Sequence, residues 1–363
     1  MEFLPIIKRR YCIRIKSGKR ICMKKAEFKS FLKSVPKAEL HLHLEAVISL
    51  AGVKNLYKNK FAKEMPEDEQ KSLFSYNDLN GFIQSFLKIQ GFYSSVKDFN
   101  LVFAELEKYL VKNGIVYTEV FFAPSAFLKM GFKYSDMVEV FHKNITKIRE
   151  KRGIIIKMLM DVSRTFGCEN AMKNYNLLKD FPCEDIIGIG LGGAEAKGPA
   201  KDFEPVFTQA HKDGFRAVAH AGEDVGPESI WDAINYLHSE RIGHGLTAMQ
   251  DEKLLNELAS TKLPVEICIT SNTFTKKVIT KASEHPVGDY FKKGIVVTIN
   301  TDDPVFFKTT LLDEFYICYK EQKMSMSDIK KLIDYSFTSS FMQDSEKKAY
   351  LAKVDEAFKN CKE

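Results

Sequence analysis

The chain has 363 residues, of which 45% are hydrophobic and 28% are charged, the proportions of an ordinary globular protein. Its length is compatible with two average domains or with one large α/β barrel. No apolar stretch approaches the roughly 18 residues that span a bilayer, so no membrane partner is expected. The 7 cysteines form no Cys-X-X-Cys pair, which favours reduced thiols and a cytoplasmic location over a disulfide framework.

The net charge of +6 is confined to an N-terminal extension, residues 1–22, which carries seven basic side chains and one acidic side chain. The rest of the chain is neutral overall, which argues against a nucleic-acid partner. The extension itself could contact nucleic acid or membranes, or act as a weak targeting peptide. We favour the hypothesis that it is disordered or not translated, with translation starting at Met23, and that residues 23–363 form a single domain.

Short apolar segments recur along the chain, separated by amphipathic stretches. Eight are found: residues 39–45, 116–123, 154–163, 186–193, 215–222, 241–245, 263–270 and 294–303. Most are continuous apolar runs, which is typical of parallel strands that are covered on both faces. Eight strands alternating with helices predict an α/β fold, a (β/α)8 TIM barrel rather than an open sheet. Segment 241–245, "RIGHG", is short and glycine-rich, and only its place in the series marks it as a strand.

Two segments fall outside this repeat. Residues 46–110, between the first two strands, are too long for one crossover helix. Their aromatic-rich stretch 78–92 predicts an inserted helical lid. Residues 326–359 predict closing helices at the C-terminus.

The first strand carries two histidines and an acid with the spacing of a chelate. Alternate residues of a strand face one side, so His41, His43 and Glu45 project together while the leucines between them pack the other face. A pair of buried histidines that bond backbone carbonyls would show the same pattern. The choice between the two interpretations depends on metal ligands elsewhere in the chain.

Polar residues also fall at the C-terminal ends of other predicted strands, where the loops of a TIM barrel build the active site. Five of the eight strand ends carry ionisable groups, in the motifs "HLHLE", "LGGAE", "HAGE", "RIGHG" and "TDDP". Each motif alone is typical of a helix cap, a turn or a structural histidine. Because five such accidents at one end of one barrel are not expected, the motifs together predict a catalytic site.

Three imidazoles and one carboxylate in these motifs form a ligand set: His41, His43, His220 and Asp302. Such ligands suit zinc and leave one position for water, whose pKa zinc lowers to about 7. His244 and Asp302 are candidates to take the proton of that water. Glu195 and Glu223 are candidate acids. From the residues alone we expect metal-assisted hydrolysis of a C–N or C–O bond, with no particular substrate specified.

In motif order and spacing, the sequence resembles the adenosine deaminase family of the amidohydrolase superfamily. The match runs from about residue 36 to residue 341, through "PKAELHLHLE", "LGGAE", "HAGE", "RIGHG", "SN" and "NTDDP". The resemblance implies one zinc ion bound by His41, His43, His220 and Asp302. It also implies attack of water at carbon 6 of a purine, with release of ammonia.

The resemblance assigns the other polar residues to the attacking water and the substrate. His244 would orient and deprotonate the water, with Asp302 also among the catalytic residues. Glu195 would protonate purine nitrogen 1, Gly193 would face nitrogen 3, and Asp303 would hydrogen-bond nitrogen 7. The remaining substrate contacts are His43, Glu45 and an apolar lid wall, for which core packing is the alternative: Leu79, Phe82, Ile83 and Phe86.

Departures from the family's pattern concern the substrate. Adenosine-specific members usually carry aspartate, which meets the ribose 5′-hydroxyl, where this chain has Glu45 followed by Ala46. Glu45 and Phe121 resemble the adenine-deaminase branch, but that branch usually has serine at Gly193 and aspartate at Gly243. The main expectation is therefore deamination of adenosine or 2′-deoxyadenosine, giving inosine-type products.

Other substrates and one other class of protein remain as alternatives. The same chemistry could act on free adenine or on a 5′-modified adenosine such as aminodeoxyfutalosine. A catalytically silent barrel that binds purine or zinc is less favoured, because no ligand or acid-base position has been lost. The missing Pro-Cys-X-X-Cys signature disfavours the cytidine-deaminase type of zinc enzyme. The expected partner is a small purine nucleoside, not nucleic acid or membrane, and the expected state is a monomer or weak homo-oligomer.

Overall fold

The computed structural model describes residues 23–76, 78–275 and 278–359, so the predicted basic extension lies outside the described residues. At its centre is one sheet of eight parallel strands that follow one another in chain order. Its strands are β1 (Lys37–His43), β2 (Ile115–Phe122), β3 (Ile155–Asp161), β4 (Ile186–Leu191), β5 (Arg216–Ala221), β6 (Arg241–His244), β7 (Val265–Ile267) and β8 (Val297–Ile299).

The sheet closes on itself where the chain after β8 meets β1. Leu42 forms a parallel bridge with Asp302 at this seam. The His43 amide donates to the Asp302 carbonyl at 3.0 Å, and the Asp302 amide donates to the His41 carbonyl at 3.1 Å. This pairing makes a nearly closed barrel and holds Asp302 beside both histidines of β1. The predicted (β/α)8 TIM barrel is confirmed, and the short "RIGHG" segment supplies β6.

Helices cover the outside of the barrel, which explains why most strands are continuous apolar runs. Among the residues that the structure describes, no helix has the length and apolar sequence needed to cross a bilayer. The helices are α1 (Lys25–Ser34), α2 (Leu50–Phe61), α3 (Glu67–Ser72), α4 (Leu79–Gln90), α5 (Phe99–Asn113), α6 (Ser125–Lys129), α7 (Tyr134–Arg152), α8 (Cys168–Asp180), α9 (Glu204–Lys212), α10 (Pro227–Asn235), α11 (Glu252–Thr261), α12 (Ile269–Thr275), α13 (Val287–Lys292), α14 (Leu311–Lys320), α15 (Met326–Thr338) and α16 (Asp344–Phe358).

The segment between β1 and β2 is helical, as predicted for the lid. It contains α2, α3, α4 and α5. Helix α4 starts where the Asp78 carboxylate accepts the Gly81 amide at 2.8 Å, an N-cap that fixes the end of the helix. Helix α5 ends at Gly114, whose φ of 68° is a left-handed conformation that favours glycine. At the other end of the chain, α15 packs against β1 and β8, and α16 packs on α15, so the closing helices are also found.

Candidate active site

Four predicted metal ligands converge at the carboxyl ends of the strands. His41 and His43 belong to β1 and His220 to β5, while Asp302 follows β8. The Nε2 atom of His43 lies 3.1 Å from Asp302 Oδ1 and 3.2 Å from His220 Nε2. The Nε2 atom of His41 lies 3.3 Å from the same Asp302 oxygen. His41, His220 and Asp302 are buried and His43 is half-buried. The ligand atoms of His41, His220 and Asp302, together with one of His244, lie within 4.8 Å of one another, and His43 contacts both His220 and Asp302.

These spacings fit a metal ion. Ligand atoms about 2.0–2.1 Å from a tetrahedral metal lie roughly 3.3 Å from one another, close to the 3.1–3.3 Å found here. Burial alone lowers the pKa of His41, yet hydrogen bonds to Asp302 and Glu266 raise it to about 9, so the site stabilises positive charge. The four residues therefore form a candidate metal site whose electrostatics favour a cation.

A buried carboxylate outside the ligand set orients His41. Glu266, in β7, lies with Oε2 2.7 Å from His41 Nδ1, which leaves Nε2 facing the candidate metal position. Arg241 donates to the other Glu266 oxygen at 2.6 Å and also to Glu119. The charge of Arg241 holds the pKa of Glu266 below its ordinary value despite burial. The sequence analysis did not identify Glu266, although an acid inside the apolar run "LPVEICIT" is a sign of a buried partner.

Two site residues have backbone conformations that are rare outside glycine. His244 has a φ of 63° and Asp302 a φ of 65°. Left-handed residues of this kind are held in place by their surroundings and cluster at functional sites. Both lie just where a strand ends, and the bend turns each side chain into the barrel mouth.

A cavity lies above the candidate metal site. Helix α4 covers it with Phe82, Ile83 and Phe86, the predicted lid residues, while the side chain of Leu79 lies outside what the structure describes. The side of the cavity away from helix α4 is formed by the segments that follow β2 and β3. It includes Ser125 and Ala126 at the start of α6, and Thr165 and Phe166 after β3. The cavity therefore extends from the candidate metal ligands to the segments that follow β2 and β3.

Glu223 lines this cavity beside the candidate metal ligands. Its Oε2 lies 3.6 Å from His244 Nε2, and only 7% of the residue is exposed. Burial, together with the charge of Asp302, raises the pKa of Glu223 well above its ordinary value. This shift favours the protonated form of Glu223, which makes it a candidate to donate a proton into the cavity.

Glu195 is placed differently from its predicted role. Its carboxylate does not line the cavity; it accepts hydrogen bonds from four consecutive backbone amides, residues 222–225, and from the Ser229 hydroxyl. A carboxylate surrounded by five donors cannot also contact a purine in the cavity. The structure therefore disagrees with the prediction that Glu195 protonates the purine, while Glu223 is an acid that does line the cavity.

The protonation of His244 follows from its neighbours. Burial lowers the pKa of His285 to about 3, so His285 is neutral. Because the Val287 amide donates to His285 Nδ1 at 3.1 Å, the His285 proton is on Nε2 and is donated to Asn272 Oδ1 at 3.2 Å. The amide nitrogen of Asn272 then donates to His244 Nδ1 at 3.2 Å.

The pKa of His244 is itself lowered to about 3 by burial, so its single proton must be on Nε2. This nitrogen points towards Glu223 and the cavity, where it acts as a hydrogen-bond donor. A nitrogen that already holds a proton does not accept another. The structure therefore supports an orienting role for His244 and disagrees with its predicted role in deprotonating water.

Gly193 and Asp303 both line the cavity, as predicted for purine contacts. The φ of Gly193 is 100°, and a Cβ atom there would lie 2.4 Å from Thr165 Oγ1, so no larger residue fits without a shift. Burial and the charge of Asp302 raise the pKa of Asp303 well above its ordinary value. This shift favours the protonated form of Asp303, which can donate a hydrogen bond to a ring nitrogen.

Glu45 lies behind the cavity wall. It is 2% exposed, and its Oε1 accepts from Gln90 Nε2 and from the Ala123 amide, both at 3.1 Å. Gln90 and Ala123 line the cavity, but Glu45 does not. The structure therefore disagrees with the prediction of a direct substrate contact by Glu45. Gln90, which sequence reasoning missed, presents the polar surface in its place.

A barrel mouth of this construction belongs to the class of metal-dependent hydrolases. Comparison with known proteins narrows the class, since the model of the adenosine deaminase family matches residues 36–357. The chain belongs to this family and is a hydrolytic aminohydrolase.

Similar proteins cover nearly the whole chain. An aminodeoxyfutalosine deaminase from Streptomyces avermitilis is 32% identical over 342 residues, which are 93% of this chain and 95% of the relative. An adenine deaminase from Crocosphaera subtropica is 30% identical over 325 residues, 88% of this chain and 98% of the relative. The solved structure of adenine deaminase from Arthrobacter aurescens has a TM-score of 0.84 at 26% identity and covers 89% of this chain and 98% of that one.

Proposed function

We propose that the protein is a zinc-dependent deaminase of a 6-aminopurine, and that its substrate is a 5′-modified adenosine of the aminodeoxyfutalosine type. The observation that carries the chemistry is the protonated Glu223 on the cavity wall next to the candidate metal site. Three imidazoles and a carboxylate are a ligand set that suits zinc. Zinc held by His41, His43, His220 and Asp302 would lower the pKa of water towards about 7 and so supply a nucleophile.

The chain's own residues complete the reaction. His244 donates a hydrogen bond from Nε2 and orients the attacking water towards carbon 6. Asp302, whose pKa is kept well below its ordinary value by hydrogen bonds from His41 and His43 despite burial, accepts the proton of the water. Glu223 gives its proton to ring nitrogen 1 as the carbon–oxygen bond forms.

Collapse of the tetrahedral centre then breaks the carbon–nitrogen bond. The proton held by Asp302 passes to the leaving amino group, which departs as ammonia. The ring keeps the oxygen of the water and becomes a 6-oxopurine as its remaining hydroxyl proton is released, and Glu223 regains a proton from solvent for the next turnover. Asp303 supports the ring throughout, because its protonated carboxyl donates to nitrogen 7.

Two observations favour a 5′-modified nucleoside over plain adenosine. Glu45, the counterpart of the acid that meets the 5′-hydroxyl in adenosine-specific members, is covered by Gln90 and Ala123 and does not reach the cavity. The cavity continues past the candidate metal site to Ser125 and Phe166, which is where a group beyond the ribose would lie. The relative from Streptomyces avermitilis, by its name, acts on such a compound.

Free adenine is the second candidate. The buried Oε1 atom of Gln90 has no hydrogen-bond partner among the described residues, so it can accept the N9–H group that adenine has and a nucleoside lacks. The relative from Crocosphaera subtropica is named an adenine deaminase.

A substrate panel tests the proposal. Zinc-loaded protein is offered aminodeoxyfutalosine, adenosine, 2′-deoxyadenosine and adenine, and ammonia release and purine absorbance are followed. We expect the highest kcat/KM with aminodeoxyfutalosine, by about 10-fold or more over adenosine. A preference for adenine would replace the first candidate by the second, and no turnover of any 6-aminopurine would refute the deaminase.

A further inference from the structure

We propose that Glu195 is a positioning residue whose buried carboxylate fixes the loop that carries Glu223. The inference rests on the proposed function, in which Glu223 donates the proton to the purine. It gives Glu195 a role in catalysis although the residue does not reach the cavity.

The hydrogen bonds of Glu195 all go to one loop and the helix that follows it. Its Oε1 accepts from the Gly222 amide at 2.5 Å and from the Ser229 hydroxyl. Its Oε2 accepts from the amides of Glu223 at 3.0 Å, Asp224 at 2.9 Å and Val225 at 3.2 Å. The bond from residue 223 involves the backbone of the proposed acid itself.

Four consecutive amides that converge on one anion form a backbone concavity that needs a negative charge to be stable. The loop reaches this shape because Gly222 has a φ of 69°, and Ile230 and Thr247 lie close beside it. Since Glu195 is 4% exposed, water has little access to replace the carboxylate. Loss of the charge would therefore leave buried donors unpaired and allow the loop to move.

The backbone on either side of the contact between Glu195 and loop 222–225 is also held in place. Arg164 is 2% exposed and donates two hydrogen bonds. One goes to the carbonyl of Gly198, three residues after Glu195, at 2.8 Å. The other goes to the carbonyl of His220, two residues before loop 222–225. The ends of β4 and β5 are thus tied together on both sides of Glu195. A displacement of Glu195 would be passed directly to Glu223, and small displacements of a proton donor are costly in rate.

Glu195→Gln is the informative variant, because an amide group in place of one oxygen points hydrogens at amide hydrogens. We expect kcat to fall by about 10- to 100-fold while KM and bound zinc stay within about twofold of the wild type. Glu228→Gln is the matched control. Glu228 is an exposed acid in α10 next to Ser229, and its replacement should leave kcat unchanged.

A double-mutant cycle separates positioning from general destabilisation. In a Glu223→Gln background, Glu195→Gln should have almost no further effect on kcat, because the group it positions is gone. Equal losses of kcat in both backgrounds would overturn the proposal, as would a normal kcat in Glu195→Gln.

Hydrogen–deuterium exchange provides a readout that does not depend on turnover. The amides of residues 222–225 should exchange faster in Glu195→Gln than in the wild type or in Glu228→Gln. Unchanged exchange would overturn the proposal that Glu195 fixes this loop. If the wild type deaminates no 6-aminopurine, the proposed function fails, and this exchange measurement still decides whether Glu195 holds the loop.

Discussion

Glu223→Gln is the substitution that most directly tests the proposed acid. The change keeps the length of the side chain and a hydrogen-bond donor but removes the transferable proton. Burial next to the charge of Asp302 keeps the pKa of Glu223 well above its ordinary value, which favours the protonated carboxyl in the wild type. In the variant, nitrogen 1 must take its proton from water.

The size of the effect follows from what glutamine retains. General acid catalysis by a positioned side chain contributes about 10²- to 10⁴-fold. Because the glutamine amide can still hydrogen-bond nitrogen 1, we expect the lower part of this range, about 10²- to 10³-fold in kcat, or roughly 3–4 kcal/mol in the barrier. KM should change little, since substrate binding keeps its donor. Bound metal should also be unchanged, because Glu223 is not one of the four ligands.

The assay compares kcat, KM and metal content of wild-type and Glu223→Gln protein with the best substrate of the panel. Glu223→Ala shows what is lost when the donor goes as well, and its KM should rise further. A glutamine variant with more than about a tenth of wild-type kcat would refute the assignment of the acid. Loss of metal from the glutamine variant would show that Glu223 belongs to the ligand set.

Other consequences of the structure can be tested in the same way. His220→Ala should lose bound metal as well as activity, measured by elemental analysis, whereas retained metal would contradict its place in the ligand set. Gly193→Ser should raise KM and lower the free energy of unfolding by about 1–3 kcal/mol in urea denaturation, because φ is 100° and a Cβ atom has no room there. Asn272→Leu removes the donor to Nδ1 of His244 and should lower kcat by about 10- to 100-fold with normal metal content; an unchanged kcat would refute the protonation assigned to His244. The pKa of His285 falls from 6.5 when unfolded to about 3 when folded, so the unfolded state binds the proton and stability falls as pH drops from about 6.5 towards 3. The free energy of unfolding should therefore fall less between pH 7 and pH 5, as compared in urea, in His285→Gln than in the wild type.

The barrel could be predicted because its strands are buried on both faces and therefore appear as separate apolar runs. The strand boundaries could not. Segment 263–270 is apolar apart from Glu266 and Thr270, but only Val265–Ile267 is strand, and helix α12 begins at Ile269. A short apolar run has no period that separates a buried strand from the start of a buried helix.

The predicted metal ligands converge because their spacing depends on strand geometry, which the sequence shows directly. The choice between Glu195 and Glu223 depends on something else. Both follow the end of a strand by a few residues, and both are acids in a glycine-containing motif. Only the folded loop reveals that the amides of residues 222–225 point at Glu195, which turns it away from the cavity. Contacts of this kind join distant loops and leave no local pattern.

Asp302 and Asp303 are adjacent residues of the same type, yet the fold shifts their pKa values in opposite directions. His41 and His43 stabilise the charge of Asp302 and keep its pKa well below the ordinary value, while that charge and burial raise the pKa of Asp303. Burial and the same charge also raise the pKa of Glu223, so two of the four carboxyl groups that line the cavity, Glu223 and Asp303, favour the neutral form. A 6-aminopurine offers acceptor nitrogens at positions 1 and 7, one for each neutral acid. The two raised pKa values therefore provide donors for the purine ring that all candidate substrates share. Selection between adenine, adenosine and 5′-modified adenosines depends on the part of the cavity lined by Gln90 and the segments after β2 and β3.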